Sequence, residues 1–305
     1  WSLSAKAFAE RLRDNRIWFG SDGNGTPRIK RFLNELKFDG MAPTSILFYK
    51  DVGHSQEGAQ EVIKLFGNKG VFDGSKPVRL LQRLITLANL NDDSIVLDFF
   101  SGSATTAHAL MKTNAEKDTH CKFILVQLPE EVSDTKKDQG YKTICEIGKE
   151  RIRRAGSKIK EESPLTTQNL DTGFRVLKLD STNMEDIYYS PGDINQANLF
   201  SLVDNVKPDR TSEDLLFQVM LELGAMLDSK IEHCLVDGKT IWNVADGYIV
   251  ACFDKDVTDD VVKAIAKMQP QYAVLRDTSM ANDSTATNFE QIFKTYSPNT
   301  TTKIL

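Results

Sequence analysis

The sequence has few of the residues and patterns that mark membrane, secreted or metal-binding proteins. Its 305 residues include four cysteines and four histidines, and no two cysteines stand in a C-x-x-C arrangement. The histidine–cysteine pairs at 120–121 and 233–234 are adjacent, and neighbours on a strand point to opposite faces, so neither pair can share a metal. No apolar run approaches the roughly 18 residues of a membrane span. We therefore expect a cytoplasmic protein with reduced thiols, no metal site and no membrane association.

The stretch 94–111 has the order of a strand, a tight turn and a helix. Apolar Ile95–Leu97 predicts a buried strand, and the small residues from Asp98 to Ser103 predict a sharp turn. Residues 105–111 then predict a helix that begins with hydroxyl-bearing residues. This order is typical of a doubly wound α/β sheet, in which ligands bind beyond the carboxyl ends of the strands.

The turn lacks the motifs of nucleotide-binding proteins. Gly102 is its only glycine, so a G-x-G-x-x-G fingerprint is absent, and no Gly-Lys-Ser/Thr ending follows. Residues 94–111 contain no lysine or arginine that could meet a phosphate. The carboxylate of Asp98 instead suits a ligand with an ammonium group or hydroxyls, which favours S-adenosylmethionine over a nucleoside triphosphate. On pattern alone, an ordinary turn without a ligand is the alternative.

Asp98–Thr106, D-F-F-S-G-S-A-T-T, resembles motif I of the amino-group DNA methyltransferases, usually written D-x-F-x-G-x-G. The resemblance is strongest to the modification (Mod) subunits of type III restriction systems. This chain contains R-I-W-F-G and P-R-I-K-R-F-L within its first 33 residues and V-Q-L-P-E at 126–130. Those subunits have similar runs. Ala104 departs from the motif, which has glycine there. An alanine can hold the turn if its φ stays negative.

The resemblance implies S-adenosyl-L-methionine as cofactor. Lys76–Pro77 before an apolar-striped helix is similar to motif X, where Ser75 and Lys76 would hold the methionine carboxylate at the helix N-terminus. Gln127 lies 25 residues after Gly102 and would contact the ribose, with Glu130 as the alternative. The implied cofactor-binding residues are Ser75, Lys76, Pro77, Asp98, Phe99, Phe100, Ser101, Gly102, Ser103, Ala104, Thr105, Thr106 and Gln127.

Positive charge is concentrated near the start of the sequence. Residues 1–50 carry a net charge of +4 and the remainder −9, which favours local contact with a polyanion or, equally, a solvated charged face. In the family resembled, this region lies near the part that recognises the DNA target. The candidate DNA-binding residues surround a Gly-rich turn and are Asn24, Thr26, Arg28, Lys30 and Arg31.

Two further groups of side chains have a structural interpretation. His54 has no carboxylate or nucleophile motif nearby, so we favour a capping or loop-bridging role over a catalytic one. A helix is predicted over 136–156, and its Lys149, Arg151, Arg153 and Arg154 are interpreted as a solvated or partner-facing surface. A polar linker over 157–169 and a strand at 174–179 are predicted to follow.

The composition, 40% apolar and 27% charged, provides core material for two or three soluble domains. A polar stretch at 183–210 predicts a boundary, and beyond it helices alternate with short strands joined by Asp-Gly turns. Helices are predicted over 212–227, with Ser212 as N-cap, over 258–268 and around 288–296, the last packing through Phe289, Ile292 and Phe293. Strands are predicted at 248–253 and 272–275, and helical spacing is also present over 4–13. We expect an α/β fold: a partial Rossmann-like S-adenosylmethionine-dependent methyltransferase sheet plus a small C-terminal α+β domain. The predicted divisions are 1–60 for DNA target recognition, 61–182 for cofactor binding and 183–305 for assembly.

The chain has no Pro-Pro dipeptide. Amino-methyltransferases hold the flipped base with an Asp/Asn-Pro-Pro-Tyr/Phe loop, and in the motif order resembled here that loop belongs before Trp1. We therefore expect no catalytic residue within the chain. The resemblance implies N6-adenine methylation of double-stranded DNA by the intact protein, as a Mod homodimer with a possible restriction (Res) subunit. The alternatives are a non-catalytic DNA-binding or partner-binding assembly module and an unrelated α/β nucleotide binder.

The same resemblance predicts an incomplete sheet. The strand at 95–98 would be central, and its other neighbour would be the strand that delivers the missing loop. An unpaired apolar strand edge promotes aggregation. We expect this edge to be covered by a partner, by another copy of the chain or by a rearranged N-terminal segment.

Overall fold

The computed structural model describes residues 3–35, 43–67, 71–137, 140–185, 205–276 and 283–305, which form a mixed α/β protein. They fall into two compact units, Trp1–Phe174 and Arg175–Leu305. Within the described ranges, no helix is long and apolar enough to cross a membrane.

The first unit begins with a helix and a small hairpin. Helix α1, Ala5–Arg13, is capped by the Ser4 hydroxyl, which confirms the predicted helix, although none of its residues is buried. Strand β1, Ile17–Trp18, pairs antiparallel with β2, Arg28–Ile29. The turn predicted between them is confirmed, and Gly20 and Gly23 both have positive φ there. A short 3-10 helix covers Leu33–Glu35.

The rest of this unit packs helices onto one face of a parallel strand pair. Strands β3, Ile95–Asp98, and β4, Lys122–Leu125, run parallel with Ile95 opposite Lys122. The helices are α2, Tyr49–Val52; α3, Ser55–Phe66; α4, Val78–Ala88; α5, Thr105–Lys117; α6, Asp134–Lys137; and α7, Ile144–Glu162. Val96 and Phe123 pack against the cluster formed by α4 and α5, and Leu125 packs with α5 and α7.

Two sequence predictions in this region are wrong. Helix α7 continues to Glu162 because Ile159 packs into its core, so the predicted linker at 157–169 begins as helix. No strand forms at 174–179, which lies within the described residues. Its Leu179 is fully exposed, and no described strand lies beside it to supply hydrogen bonds. The boundary predicted at 183–210 lies largely outside the described residues.

The second unit is a five-stranded mixed sheet with helices. Its strands lie in sequence order: β5, Ile231–Val236; β6, Lys239–Val244; β7, Ile249–Cys252; β8, Tyr272–Leu275; and β9, Thr301–Ile304. Pairing is antiparallel from β5 to β7 and parallel from β7 to β9. The helices are α8, Ser212–Glu222; α9, Asp259–Lys267; and α10, Asp283–Tyr296.

Most elements of the second unit were predicted from the sequence. The Asp-Gly turns at 237–238 and 246–247 join β5 to β6 and β6 to β7, as expected. Phe289, Ile292 and Phe293 pack into one core cluster, also as expected. The cap of α8 differs by one residue, because Thr211 rather than Ser212 forms a capping box with Asp214.

The parallel pair in the first unit leaves its second face uncovered. Ile95, Leu97, Ile124 and Val126 alternate onto that face, and Leu97 and Ile124 are 57% and 50% exposed. Across the described residues, β3 pairs only with β4, and the N-terminal strands pair with each other instead. The expectation that a rearranged N-terminal segment covers the free edge of β3 is therefore wrong for the described part of the chain. Cover by a partner or by another copy stays a prediction.

We expect this face to drive self-association of the isolated chain. Leu97→Lys should raise the concentration at which association begins, because it places a charge in the centre of the apolar face. The free energy of unfolding should change by less than about 0.5 kcal/mol, since the side chain is mostly exposed. Light scattering over a concentration series measures the first effect and urea denaturation the second.

The matched control is Leu165→Lys, which adds the same charge at an equally apolar position that is 86% exposed in the same unit. If both variants associate like the original chain, the uncovered sheet face is not the surface responsible.

Candidate functional site

Asp98 closes the turn between β3 and α5. Its Oδ1 accepts a hydrogen bond from the Phe100 amide at 3.2 Å, and its Oδ2 accepts one from the Thr106 hydroxyl at 2.5 Å. The carboxylate that was predicted to contact a ligand thus holds the turn itself. An ionised carboxylate has about four acceptor positions, so capacity for a ligand remains.

The turn has two residues in the left-handed region. Gly102 has a φ of +50° and Ala104 a φ of +60°, so the condition of a negative φ, under which an alanine was expected to hold the turn, is not met. A non-glycine residue there costs about 1–2 kcal/mol. The Ala104 amide donates to the Ser101 carbonyl at 2.7 Å, and its methyl group is buried in the cluster shared with α7. Burial and the closed turn hold the strained conformation in place.

Residues 75–77, here called the strap, lie against this turn. The Ser75 hydroxyl is 3.2 Å from that of Ser103 and 3.3 Å from that of Thr105. The structure therefore brings the two motifs together, as the resemblance implied. Lys76 is exposed, and Pro77 is the N-cap of α4, one residue before the helix begins.

The N-terminus of α4 already has an acidic partner. Glu61 Oε2 accepts a hydrogen bond from the Val78 amide at 2.9 Å. Burial raises the pKa of this carboxyl group above its ordinary value, and the Val78 hydrogen bond opposes that change. A ligand carboxylate at the strap would share this helix end with Glu61, which weakens the expected role of the α4 N-terminus.

Beneath the strap and the turn lies Arg151, which sequence reasoning placed on the surface. Its side chain is 0% exposed, so that interpretation is wrong. Nη1 donates to the hydroxyl of Ser75 at 2.7 Å and to those of Ser103 and Thr105 at 2.8 Å. Burial lowers the pKa of its guanidinium to about 10, which still leaves it charged at neutral pH.

A signal for this burial was present in the sequence. The buried residues of α7 recur at helical spacing, and position 151 falls on that stripe; they are Ile147, Gly148, Arg151, Ile152, Ala155, Gly156 and Ile159. The surface interpretation of Arg151 relied on its charge and did not consider its place on this stripe. The surface interpretation holds for Arg153, which is exposed, while Lys149 and Arg154 are half-buried.

Gln127 reaches the turn from the end of β4. Its Oε1 accepts a hydrogen bond from the Gly102 amide at 2.8 Å, and its Nε2 donates to the Leu128 carbonyl at 3.2 Å. The side chain therefore joins the two strand ends. Contact of Gln127 or of the exposed Glu130 with a ribose stays a prediction.

Two glycines allow helices to press directly against the site. A Cβ on Gly58 of α3 would lie 2.1 Å from the Ser75 carbonyl oxygen, so only glycine fits at that contact. A Cβ on Gly148 of α7 would lie 3.4 Å from the Gly102 carbonyl oxygen. The backbones of the strap and the turn are thus each in close contact with a helix.

The candidate DNA-binding residues lie on and around the hairpin of β1 and β2. The Arg28 guanidinium stacks on the Trp18 ring at 5.9 Å from its centre, and both side chains are exposed. Lys30 Nζ donates to Asn15 Oδ1 at 3.0 Å. Asn24, Thr26 and Arg31 are also exposed.

His54 has the capping role that was favoured. Its Nδ1 accepts a hydrogen bond from the Glu57 amide at 3.2 Å, at the first turn of α3.

The site offers amide donors beside an aromatic surface. Ala104 has no polar side chain to cap α5, so the amides of the first helical turn have no side-chain cap, and residues 104–107 are buried. Phe99 and Phe100 are exposed next to the turn, and their ring centres are 5.1 Å apart. Hydrogen-bond donors with a flat apolar face suit a nucleoside that carries a polar tail, which fits the expected methyl donor.

The imidazole of His108, on α5, is neutral at pH 7. Burial lowers the pKa of its imidazole from 6.5 to about 3, and the charge of Arg151 contributes. Its Nδ1 is buried with no hydrogen-bond partner in the described part of the chain.

This pKa predicts a pH-dependent stability. The unfolded chain takes up a proton near pH 6.5 whereas the folded chain does not, so stability is complete above that pH and declines toward pH 3. We expect a loss of at most about 2 kcal/mol at pH 5. His108→Leu should remove this part of the pH dependence in urea denaturation between pH 5 and 8. Equal pH slopes in the two proteins would contradict the prediction.

Comparison with known proteins gives matches over the same region. Residues 15–155 match the family model described as DNA methylase. The Mod subunit of the type III restriction-modification enzyme StyLTI of Salmonella typhimurium is 38% identical over 177 residues, 57% of this chain and 26% of that protein. The EcoP15I Mod subunit of Escherichia coli is 30% identical over 83% of this chain and 36% of its own length. The EcoPI Mod subunit of Escherichia phage P1 is 39% identical over 58% and 27%.

The chain spans between 26% and 36% of the length of these relatives. The family match includes the strap, the turn, Gln127 and Arg151. Residues 15–155 thus match the model of the DNA methylase family, and the chain is similar to a portion of the Mod subunits of type III restriction-modification enzymes, which confirms the resemblance drawn from its motifs.

Proposed function

We propose that this chain is the cofactor-binding and DNA-contacting portion of a site-specific DNA adenine-N6 methyltransferase that uses S-adenosyl-L-methionine. The intact protein would be the modification subunit of a type III restriction-modification system and would act in the cytoplasm. The observation that carries the proposal is the contact between the strap and the motif I turn, with Ser75 3.2 Å from Ser103. Ser75 and Ser103 are 28 residues apart in the sequence, and the resemblance implies cofactor binding for both segments.

The donor would lie at the carboxyl ends of β3 and β4, where ligands bind in open parallel sheets. Its acceptor oxygens would meet the uncapped first amides of α5, and its adenine would lie against Phe99 or Phe100. Asp98 and Gln127 would act mainly by fixing the turn, since each already makes hydrogen bonds within it.

The uncovered face and free edge of β3 support an incomplete domain. We propose that the part of the methylase domain carrying the base-binding loop packs there, so that a Rossmann-like sheet extends beyond β3. That loop would hold the flipped adenine with its amine in line with the methyl group. Residues 61–182 would then be the donor-binding subdomain, and this chain alone would not transfer a methyl group.

We assign DNA contact to residues 1–60 and assembly to residues 183–305. The exposed stack of Arg28 on Trp18 supports the first, because such a pair offers both charge and a ring face to a nucleic acid. The second unit would contribute to a Mod homodimer and to association with a Res subunit. Res would be the partner that cleaves DNA.

A second candidate is a non-catalytic assembly module. It is favoured by the hydrogen bonds that Asp98 and Gln127 spend within the turn, since these side chains are then less available to a ligand. The two functions differ in one measurable property, which is affinity for S-adenosylmethionine.

Titration calorimetry of this chain with S-adenosylmethionine separates them. We expect binding by the original chain and its loss in Gly102→Trp, because any side chain at Gly102 begins 3.3 Å from Phe72 Cζ and an indole would fill the turn. The control is Gly224→Trp, which has the same kind of positive φ, +74°, but open space around it. It should bind like the original chain.

Absence of binding by the original chain would favour the assembly module. In an intact polypeptide that carries the base-binding loop, transfer of labelled methyl groups to DNA should be lost in Gly102→Trp. Equal transfer by both proteins would refute the site assignment.

The DNA contact predicts a salt dependence. Arg28→Ala should weaken binding to a mixed-sequence duplex and reduce the slope of log affinity against log salt by about 0.9, the contribution of one phosphate contact. Fluorescence anisotropy over a salt series measures both quantities. Arg83→Ala, which removes an exposed arginine from α4, is the matched control and should leave the slope unchanged. An unchanged slope in Arg28→Ala would exclude this side chain from the DNA contact.

A further inference from the structure

Arg151 contacts both segments of the proposed donor site, the strap and the turn. From the buried side, its Nη1 reaches hydroxyls that are 76, 48 and 46 residues away in the sequence. One of them, on Ser75, belongs to the strap, and the other two, on Ser103 and Thr105, belong to the turn. A single nitrogen therefore connects the two segments between which the donor would lie.

The arrangement is unlike that of a structural arginine. Nε and Nη2 of Arg151 are buried and have no hydrogen-bond partner within the described ranges, so only part of the guanidinium is satisfied. Glu61 is the carboxylate whose charge acts on it, and that group is itself bound to the Val78 amide. A side chain kept only to fill this space would be apolar, as its helix neighbours Ile147 and Ile152 are.

We propose that Arg151 is a positioning residue for methyl transfer, which fixes the distance between the strap and the motif I turn and thereby the position of the methyl donor. This proposal rests on the proposed function. Arg151 is completely buried and acts through Ser75, Ser103 and Thr105 rather than by touching the donor.

The geometry explains why the hydroxyls cannot replace it. Their oxygens are 3.2, 3.3 and 3.4 Å apart, longer than the roughly 2.5–3.0 Å usual for hydrogen bonds between hydroxyls, whereas Nη1 of the guanidinium lies 2.7–2.8 Å from each. Without the guanidinium the three groups would re-form bonds among themselves and the two segments would shift. A displacement of about 1 Å at a reacting centre can reduce the rate about 100-fold.

The test compares three variants of the full chain. Arg151→Met keeps much of the volume but removes the donors, Arg151→Lys keeps the charge, and Arg154→Met removes a neighbouring arginine of α7. Arg154 donates to the Leu65 and Phe66 carbonyls and contacts neither segment of the site, so it is the matched control. Ser103→Ala removes one of the three hydroxyls that accept from Arg151, and it replaces Arg151→Met in the test if that variant does not fold.

Calorimetry with S-adenosylmethionine should show a dissociation constant raised about 10–100-fold in Arg151→Met, the range typical of residues that orient a binding group. Arg151→Lys should recover part of the affinity, and Arg154→Met should retain it even where its melting temperature falls. The double variant Arg151→Met with Ser103→Ala should lose little more affinity than Arg151→Met alone, because both changes break the same connection.

Amide hydrogen exchange gives a readout that is independent of the ligand. Arg151→Met should accelerate exchange in the strap and the turn together, and Arg154→Met should not. Unchanged exchange, or unchanged affinity in Arg151→Met, would overturn the positioning role while leaving the proposed function intact. Absence of binding by the original chain would overturn the proposed function, and the donor role of Arg151 with it.

Discussion

The hydrogen bonds from one buried guanidinium to three hydroxyls decide the form of this site. Burying an ion costs several kcal/mol. Each charge-assisted hydrogen bond returns about 1.5–3 kcal/mol, and the two protons of Nη1 can make at most two at full strength. The two sides are of similar size, so the Arg151 cluster contributes little net stability. What it contributes is a fixed arrangement of Ser75, Ser103 and Thr105, held at shorter distances than the contacts that these hydroxyls make with one another.

In the backbone of the turn, too, an unfavourable free energy is offset by burial and hydrogen bonds. The left-handed conformation of Ala104 costs about 1–2 kcal/mol, and burial of its methyl group offsets roughly 0.8 kcal/mol of that. The remainder is held by the hydrogen bonds of Asp98 and Gln127, which close the turn from both strand ends. Conformational strain and a partly unsatisfied cation are therefore concentrated at the same few residues, as is usual for functional sites.

The sequence predicted whatever depends on local pattern. The Asp-Gly turns and strand β8 were located because turn residues bound short apolar runs, and the strap was found because Lys76–Pro77 before an apolar-striped helix resembles motif X. Features that depend on another element of the fold, such as strand pairing and side-chain burial, were not predicted. Residues 174–179 have strand composition but no partner strand, whereas β9 has a polar composition and pairs with β8. The position of Arg151 could have been found from its place on the apolar stripe of α7, but the φ of Ala104 follows from packing that no local pattern encodes.

The two faces of the β3–β4 pair have different roles. The contacts that shape the strap and the turn come from α3 and α7, through Gly58, Gly148 and Arg151, on the side that the helices already cover. The apolar side chains of the other face, such as Leu97 and Ile124, take no part in these contacts. A polypeptide that covered that face could add a base-binding loop without rearranging the donor half. The proposed donor site could therefore form before the sheet is complete, because the contacts that shape the strap and the turn come from one side of the sheet only.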